Sequence, residues 1–207
     1  MSGGAGSGAP IDFYFDFSSP YGYFASCRID EIGARRGRDV IWRPYLMGVV
    51  MKITGSKPLV EREIIRDYSH RDIARSARRY GIAYNPPPPP FPLPSIAACR
   101  AFYWIVDRDP LAARDFARRV YAALFVDGRN ISEVDVVVDV AADAGADPEE
   151  TRAALEEQAV KDRLRQETDA AIARGVFGSP FVIVDDEPFW GNDRLDDVDR
   201  WLETGGW

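Results

Sequence analysis

At 207 residues, with 46% hydrophobic side chains and a formal net charge of −7, the chain has the size and apolar content of one compact domain with a substantial core. The negative balance provides no overall basic field and no basic stripe is present, so nucleic acid and anionic lipid are excluded as expected partners. No window is apolar enough to span a bilayer, and the opening MSGGAGSGAP has neither the charged nor the apolar stretch of a secretory signal, so a cytoplasmic location is expected.

Residues 1–10 read as a flexible leader. Residues 11–16 (IDFYFD) read as a strand, 20–36 as a helix closed near Gly37, and 40–45 as a second strand. This β-α-β order predicts a parallel pair with a right-handed crossover. A long helical stretch follows, with segments at 61–80, 96–107, 111–125, 133–144 and 148–174. Asp147, Pro148 and Glu150 make a capping-box start for the last of these, and Ser132 with Asp135 a weaker start for the one before. Between helices, Pro86 through Pro90 force 85–94 into an extended, polyproline II form, read as a stiff surface connection. The tail returns to β with 181–184, a turn at Asp185-Asp186-Glu187, and 188–190, and closes on a helix over 193–202. This order is that of an α/β, thioredoxin-like domain (11–48 and 172–207) with a large all-helical insertion (49–171).

Much chemistry is excluded by what is missing. Cys27 and Cys99 are the sole cysteines and form no C-x-x-C, so neither a disulfide framework nor a zinc site is expected, and both read as small core residues. His70 is the sole histidine, in a polar helical setting, which leaves a Ser-His-Asp triad or a histidine-rich metal site little material to work with. Acidic clusters such as Asp185-Asp186-Glu187 and Asp196-Asp197 read as solvated surface.

Two features remain. In FDFSSPYGY a strand passes through Ser18-Ser19-Pro20 into a helix, so a hydroxyl stands where free N–H groups favour negative charge; ordinary capping with Pro20 at the first helical position is the competing explanation. In GVFGSPFVIV, Ser179-Pro180 enters an apolar strand, where an X-Pro bond takes the cis form at modest cost or simply marks a strand start.

With WGNDRLDDVDRWL near the end, these motifs in this order resemble the glutathione-dependent 2-hydroxychromene-2-carboxylate isomerases and the related kappa-class glutathione transferases, over about 11–202. The resemblance implies that Ser19-Pro20-Tyr21-Gly22 replaces the C-x-x-C of redox relatives, which removes thiol-disulfide exchange. It also implies glutathione as cofactor, with Ser19 stabilising its thiolate, and Ser179 before cis-Pro180 pairing its backbone with the cysteinyl part. Trp190, Gly191, Asn192 and Asp193 match the stretch that binds glutathione, the last two near its γ-glutamyl end. A small aromatic carboxylate is the implied substrate, with Lys52 near the carboxylate and Tyr21 lining the pocket; a solvated Lys52 and a core Tyr21 are the alternatives. The resemblance further implies a homodimer. Gly55-Ser56 and Ile65 depart from a glycine-asparagine pair and a lysine of the kappa type, and Arg62 or Arg66 is the candidate replacement cation.

The physical requirement is modest. A thiol with a pKa of about 8.5 is a few per cent ionised at pH 7, and each unit of depression needs about 1.4 kcal/mol. A charge-assisted hydrogen bond contributes roughly 1.5–3 kcal/mol. The implied activity is isomerisation by reversible thiolate addition; a kappa-like transferase or peroxidase, and a non-catalytic thioredoxin-like binding module, are the rivals.

Overall fold

The structure, a computed structural model, describes residues 8–207. Of the expected leader, residues 1–7 lie outside the described residues. A four-stranded sheet runs in the order β2-β1-β3-β4. Strand β1 (Ile11–Phe15) pairs parallel with β2 (Val40–Pro44) and antiparallel with β3 (Phe181–Val184), which pairs antiparallel with β4 (Glu187–Trp190). Every residue of β1 is buried, because helices cover both faces of the sheet.

Side-chain alternation along β1 divides the interior into two cores. Phe13 and Phe15 enter the larger one with Phe17, Trp42, Phe102 and Tyr121, whose rings meet at centroid distances between 5.0 and 6.1 Å. Each such phenylalanine removed from water contributes about 1.5–3 kcal/mol. Tyr14 enters the smaller core with Tyr45, Val176, Phe181 and Ile183. On that same face Asp12 is held between Arg43 (2.7 Å) and Arg174 (2.5 Å), so its buried carboxylate is paired on both sides.

Ten α-helices complete the described residues: α1 (Pro20–Ser26), α2 (Ile29–Arg36), α3 (Met47–Thr54), α4 (Arg66–Tyr80), α5 (Ile96–Val106), α6 (Pro110–Phe125), α7 (Val134–Asp143), α8 (Pro148–Ala154), α9 (Gln158–Ala173) and α10 (Leu195–Thr204). The single helix expected over 20–36 is thus two. Tyr23 through Ser26 are all buried, which no one face of a straight helix accommodates; the chain closes α1 with an Arg28 N–H to Ala25 carbonyl bond and restarts with Ile29 and Ile32 inward. Cys27 lies at this break and is exposed, contrary to its expected core position, whereas Cys99 is buried in α5.

The segment 148–174 also breaks, as Leu155 turns into the core between α8 and α9. Asp147 caps α8 as expected by accepting the Glu150 N–H at 2.9 Å. The expected Ser132 cap is not formed: α7 starts after Glu133, and the Ser132 hydroxyl donates to Asn130. Helix α3 carried no recognised start signal, and 61–80 resolves into a 3₁₀ turn (Leu59–Glu61) and α4. The Pro89–Pro90 and Phe91–Pro92 bonds are cis, so polyproline II does not run unbroken through the proline segment.

Candidate active site

The loop between β1 and α1 meets the loop before β3. The Ser179–Pro180 bond is cis. Ser19 is the N-cap of α1: its Oγ accepts the Gly22 N–H at 3.0 Å and donates to the Ser179 carbonyl at 2.7 Å. The Asp16 N–H donates to the Ser179 Oγ at 2.8 Å, and the Ser19 N–H donates to the Asp16 carbonyl at 3.0 Å. Capping and contact between the two loops therefore use the same hydroxyl. With α1 only seven residues long, the dipole contribution expected from a 17-residue helix shrinks, and the hydrogen bonds of Ser19 carry the electrostatics.

Position 22, the end of the Ser-Pro-Tyr-Gly run, is closed to side chains. A Cβ there would lie 2.6 Å from the Tyr121 Oη and 2.9 Å from the Ser179 Oγ. Tyr121 is fully buried and its hydroxyl donates to the Asp16 carbonyl at 3.1 Å, so it cannot retreat without losing that bond. Gly22→Ala is expected to cost about 1–3 kcal/mol through overpacking. The urea midpoint measures this, and adding Tyr121→Phe, which removes the obstructing oxygen, is expected to recover part of the loss.

Beneath the loop lies Asp16, a residue that motif reading passed over. Its carboxylate accepts the Ser18 N–H at 2.8 Å and the Met47 N–H at 3.0 Å, tying the Ser18-Ser19 turn to the start of α3. Burial pushes its pKa up, while these two amides and the Ser95 hydroxyl pull it back. The first bond is an Asx turn, and an Asp two residues before Ser18 was the available signal. Ser18 takes part through its side chain as well: its Oγ accepts the Leu93 N–H at 2.8 Å, anchoring the end of the proline segment beside the site.

The remaining expected residues distribute as follows. Gly191 N–H donates to the Pro180 carbonyl at 3.2 Å, which sets the 191–194 turn against the cis-proline loop. Trp190 is exposed, packs edge-on against Phe177 at 4.9 Å, and covers Gly178 so closely that a Cβ there would meet its Nε1 at 2.1 Å. Asn192 is 3% exposed and its Oδ1 finds no donor among the described residues, while Asp193 beside it is exposed. Arg28 reaches the Asn192 carbonyl and pairs with Asp196 at 2.6 Å.

Tyr21 donates to Asp72 at 2.6 Å; burial first, then that bond, pushes the phenol far above its ordinary range. Burial opposes the Asp72 charge, but the Tyr21 phenol and Arg75 outweigh it and hold the carboxyl below its ordinary value. Lys52 is exposed on the last turn of α3, and Arg62 is exposed with its Nε on the Lys57 carbonyl. Among the described residues neither shares a hydrogen bond with Ser19, Ser179, Asn192 or Asp193, so the structure joins the Ser19, Ser179 and 190–193 elements but not these two cations.

A mixed sheet with a cis-proline loop facing the N-cap of the first helix defines a thioredoxin-like protein, here with serine at the cap. Residues 10–203 match the family model described as a DSBA-like thioredoxin domain, and the chain belongs to that family. It is 29% identical over 196 residues to a 2-hydroxychromene-2-carboxylate isomerase of Sphingobium xenophagum, covering 93% of this chain and 97% of the relative. It is 28% identical to glutathione S-transferase kappa 2 of Caenorhabditis elegans, covering 93% and 91% of the two chains. A solved structure of 2-hydroxychromene-2-carboxylate isomerase superposes with a TM-score of 0.84 at 27% identity, over 93% of this chain and 94% of that one.

Proposed function

We propose that this protein is a glutathione-dependent isomerase of 2-hydroxychromene-2-carboxylate or a similar aromatic oxo-carboxylate. The observation that carries this reading is the Ser19 hydroxyl, set against the carbonyl before cis-Pro180, with no cysteine in the Ser-Pro-Tyr-Gly run. The two relatives and the solved isomerase named above support it. The fit to glutathione is physical as well: the buried Asn192 Oδ1, without a donor among the described residues, suits the tripeptide's ammonium group, since an orphan acceptor of this kind costs about 1–3 kcal/mol until a donor arrives.

When bound, glutathione supplies a thiolate that adds reversibly to a conjugated carbon and is released unchanged. Ser19 holds that sulfur by hydrogen bonding. The Ser179 backbone and Pro180 align the cysteinyl part, and Trp190, Gly191, Asn192 and Asp193 hold the γ-glutamyl end. Lys52, with Arg62 as a second cation, draws in the substrate carboxylate, and Tyr21, fixed by Asp72, forms a wall of the aromatic pocket. Residues 11–48 and 172–207 are then the glutathione-binding unit, 49–171 the helical insertion on the substrate side, and the working form a cytoplasmic homodimer.

Calorimetry with glutathione, followed by turnover of the chromene carboxylate, tests this. Saturable binding with no net consumption of glutathione is expected. Stoichiometric loss of glutathione to an electrophile would instead make the protein a kappa-like transferase, a reading favoured by the 28% identity to the kappa enzyme. No heat of binding would leave a non-catalytic module.

A further inference from the structure

The Ser19 hydroxyl has one proton, and the structure shows it committed. It points at the Ser179 carbonyl at 2.7 Å, while a lone pair of the same oxygen takes the Gly22 N–H at 3.0 Å. A serine Oγ in this state presents a bound sulfur with no donor, only with its remaining acceptor capacity, which repels an anion. For Ser19 to stabilise a thiolate, its proton must first leave the Ser179 carbonyl.

The Ser179 carbonyl cannot simply be abandoned. It is half-buried in a loop already fixed on three sides, by the Asp16 N–H on the Ser179 Oγ, by the Tyr45 hydroxyl on the Gly178 carbonyl at 2.7 Å, and by the Gly191 N–H on the Pro180 carbonyl. Leaving its oxygen without a donor costs about as much as the new bond to sulfur would return. Another donor has to take the carbonyl as the serine proton departs. A carbonyl in a loop held by these bonds is the kind of acceptor that an added peptide backbone uses.

We infer that the site is switched on by an exchange of donors: the cysteinyl amide N–H of bound glutathione takes over the Ser179 carbonyl, and the Ser19 hydroxyl proton, released from it, rotates onto the sulfur. The Gly22 N–H stays on the Ser19 Oγ throughout and keeps the hydroxyl in place while its proton swings. The thiol proton goes to solvent, and no bond other than S–H is broken. The consequence is specificity for peptide thiols at the level of ionisation: a thiol without a correctly placed amide N–H meets a serine whose proton is still held by Ser179. The inference rests on the glutathione reading given above and deepens it.

The probes are glutathione and its isosteric ester analogue, in which oxygen replaces the cysteinyl amide N–H. Thiol pKa is read for each at saturation from the ultraviolet thiolate band, with occupancy set by calorimetry. Bound glutathione is expected to ionise about one to two pH units below free thiol, the worth of one charge-assisted hydrogen bond. The ester is expected to bind, leaving the Ser19–Ser179 bond intact, and to ionise near the free value of about 8.5. Equal depression for both ligands, or complete loss of ester binding, overturns the donor exchange and leaves the glutathione reading standing. No binding of glutathione itself overturns both.

Discussion

Ser19→Ala is expected to lower kcat/KM for the glutathione-dependent reaction by about ten- to a hundredfold near pH 7, the loss of one charge-assisted hydrogen bond to sulfur. The effect has a pH signature. A site that depresses the thiol pKa gives its advantage below the free thiol value of about 8.5, where unassisted glutathione is mostly neutral. Above that value glutathione ionises unaided, so the ratio of wild-type to variant rates shrinks as pH rises. A uniform loss across the pH range would place the damage in folding rather than in sulfur chemistry. Some folding damage is expected too, because the same Oγ caps α1 and bridges to Ser179, and removing a serine cap costs about 1 kcal/mol. Ser19→Thr keeps both the cap and the donor and is expected to recover most of the stability. An unchanged thiol pKa in Ser19→Ala would remove Ser19 from the mechanism.

The sequence made the frame of this molecule legible where pattern and chemistry agree. The alternating Phe13 and Phe15 mark a strand, Ser-Ser-Pro a helix start and Ser179-Pro180 a strand entry, and the sheet and facing loops follow from them. The helix breaks at Cys27 and Leu155 were not legible, because neither contains glycine or proline. They arise from tertiary burial of four consecutive residues in one case and of a single leucine in the other. The braces of the site were hidden for a similar reason. Asp16, Ser18 and Tyr121 act through partners 31 to 105 positions away in the chain, at Met47, Leu93 and the Asp16 carbonyl, and no local pattern encodes such pairings. In the sequence Asp16 is only the last residue of the strand read over 11–16.

Its removal is expected to have a large effect on stability. Asp16→Ala leaves the half-buried Ser18 and Met47 amides without their acceptor, at about 1–3 kcal/mol each, against which the relief of a buried carboxylate is only a partial offset; a net loss of roughly 2–4 kcal/mol is expected from urea unfolding. Asp16→Asn isolates the charge. An amide accepts from one of the two N–H groups and turns its own NH₂ toward the other, so it costs less than alanine but more than nothing. The pH dependence then has a definite sign. Burial raises the carboxyl above its ordinary value, so the folded state holds the proton after the unfolded chain has lost it. Wild-type stability from this group is therefore full below the ordinary aspartate value and is lost as pH rises through the raised one. The asparagine variant lacks that term. The stability gap between the two proteins should narrow as pH rises across this window and stay flat on either side. The other titratable groups whose ionisation couples to Asp16 do not interfere: burial, and then the Asp16 charge, holds Tyr45, Tyr121 and Cys99 well above their ordinary values, so they stay neutral throughout. A gap that is constant with pH would mean that Asp16 does not change ionisation on folding, and that it braces the Ser18-Ser19 turn through geometry alone.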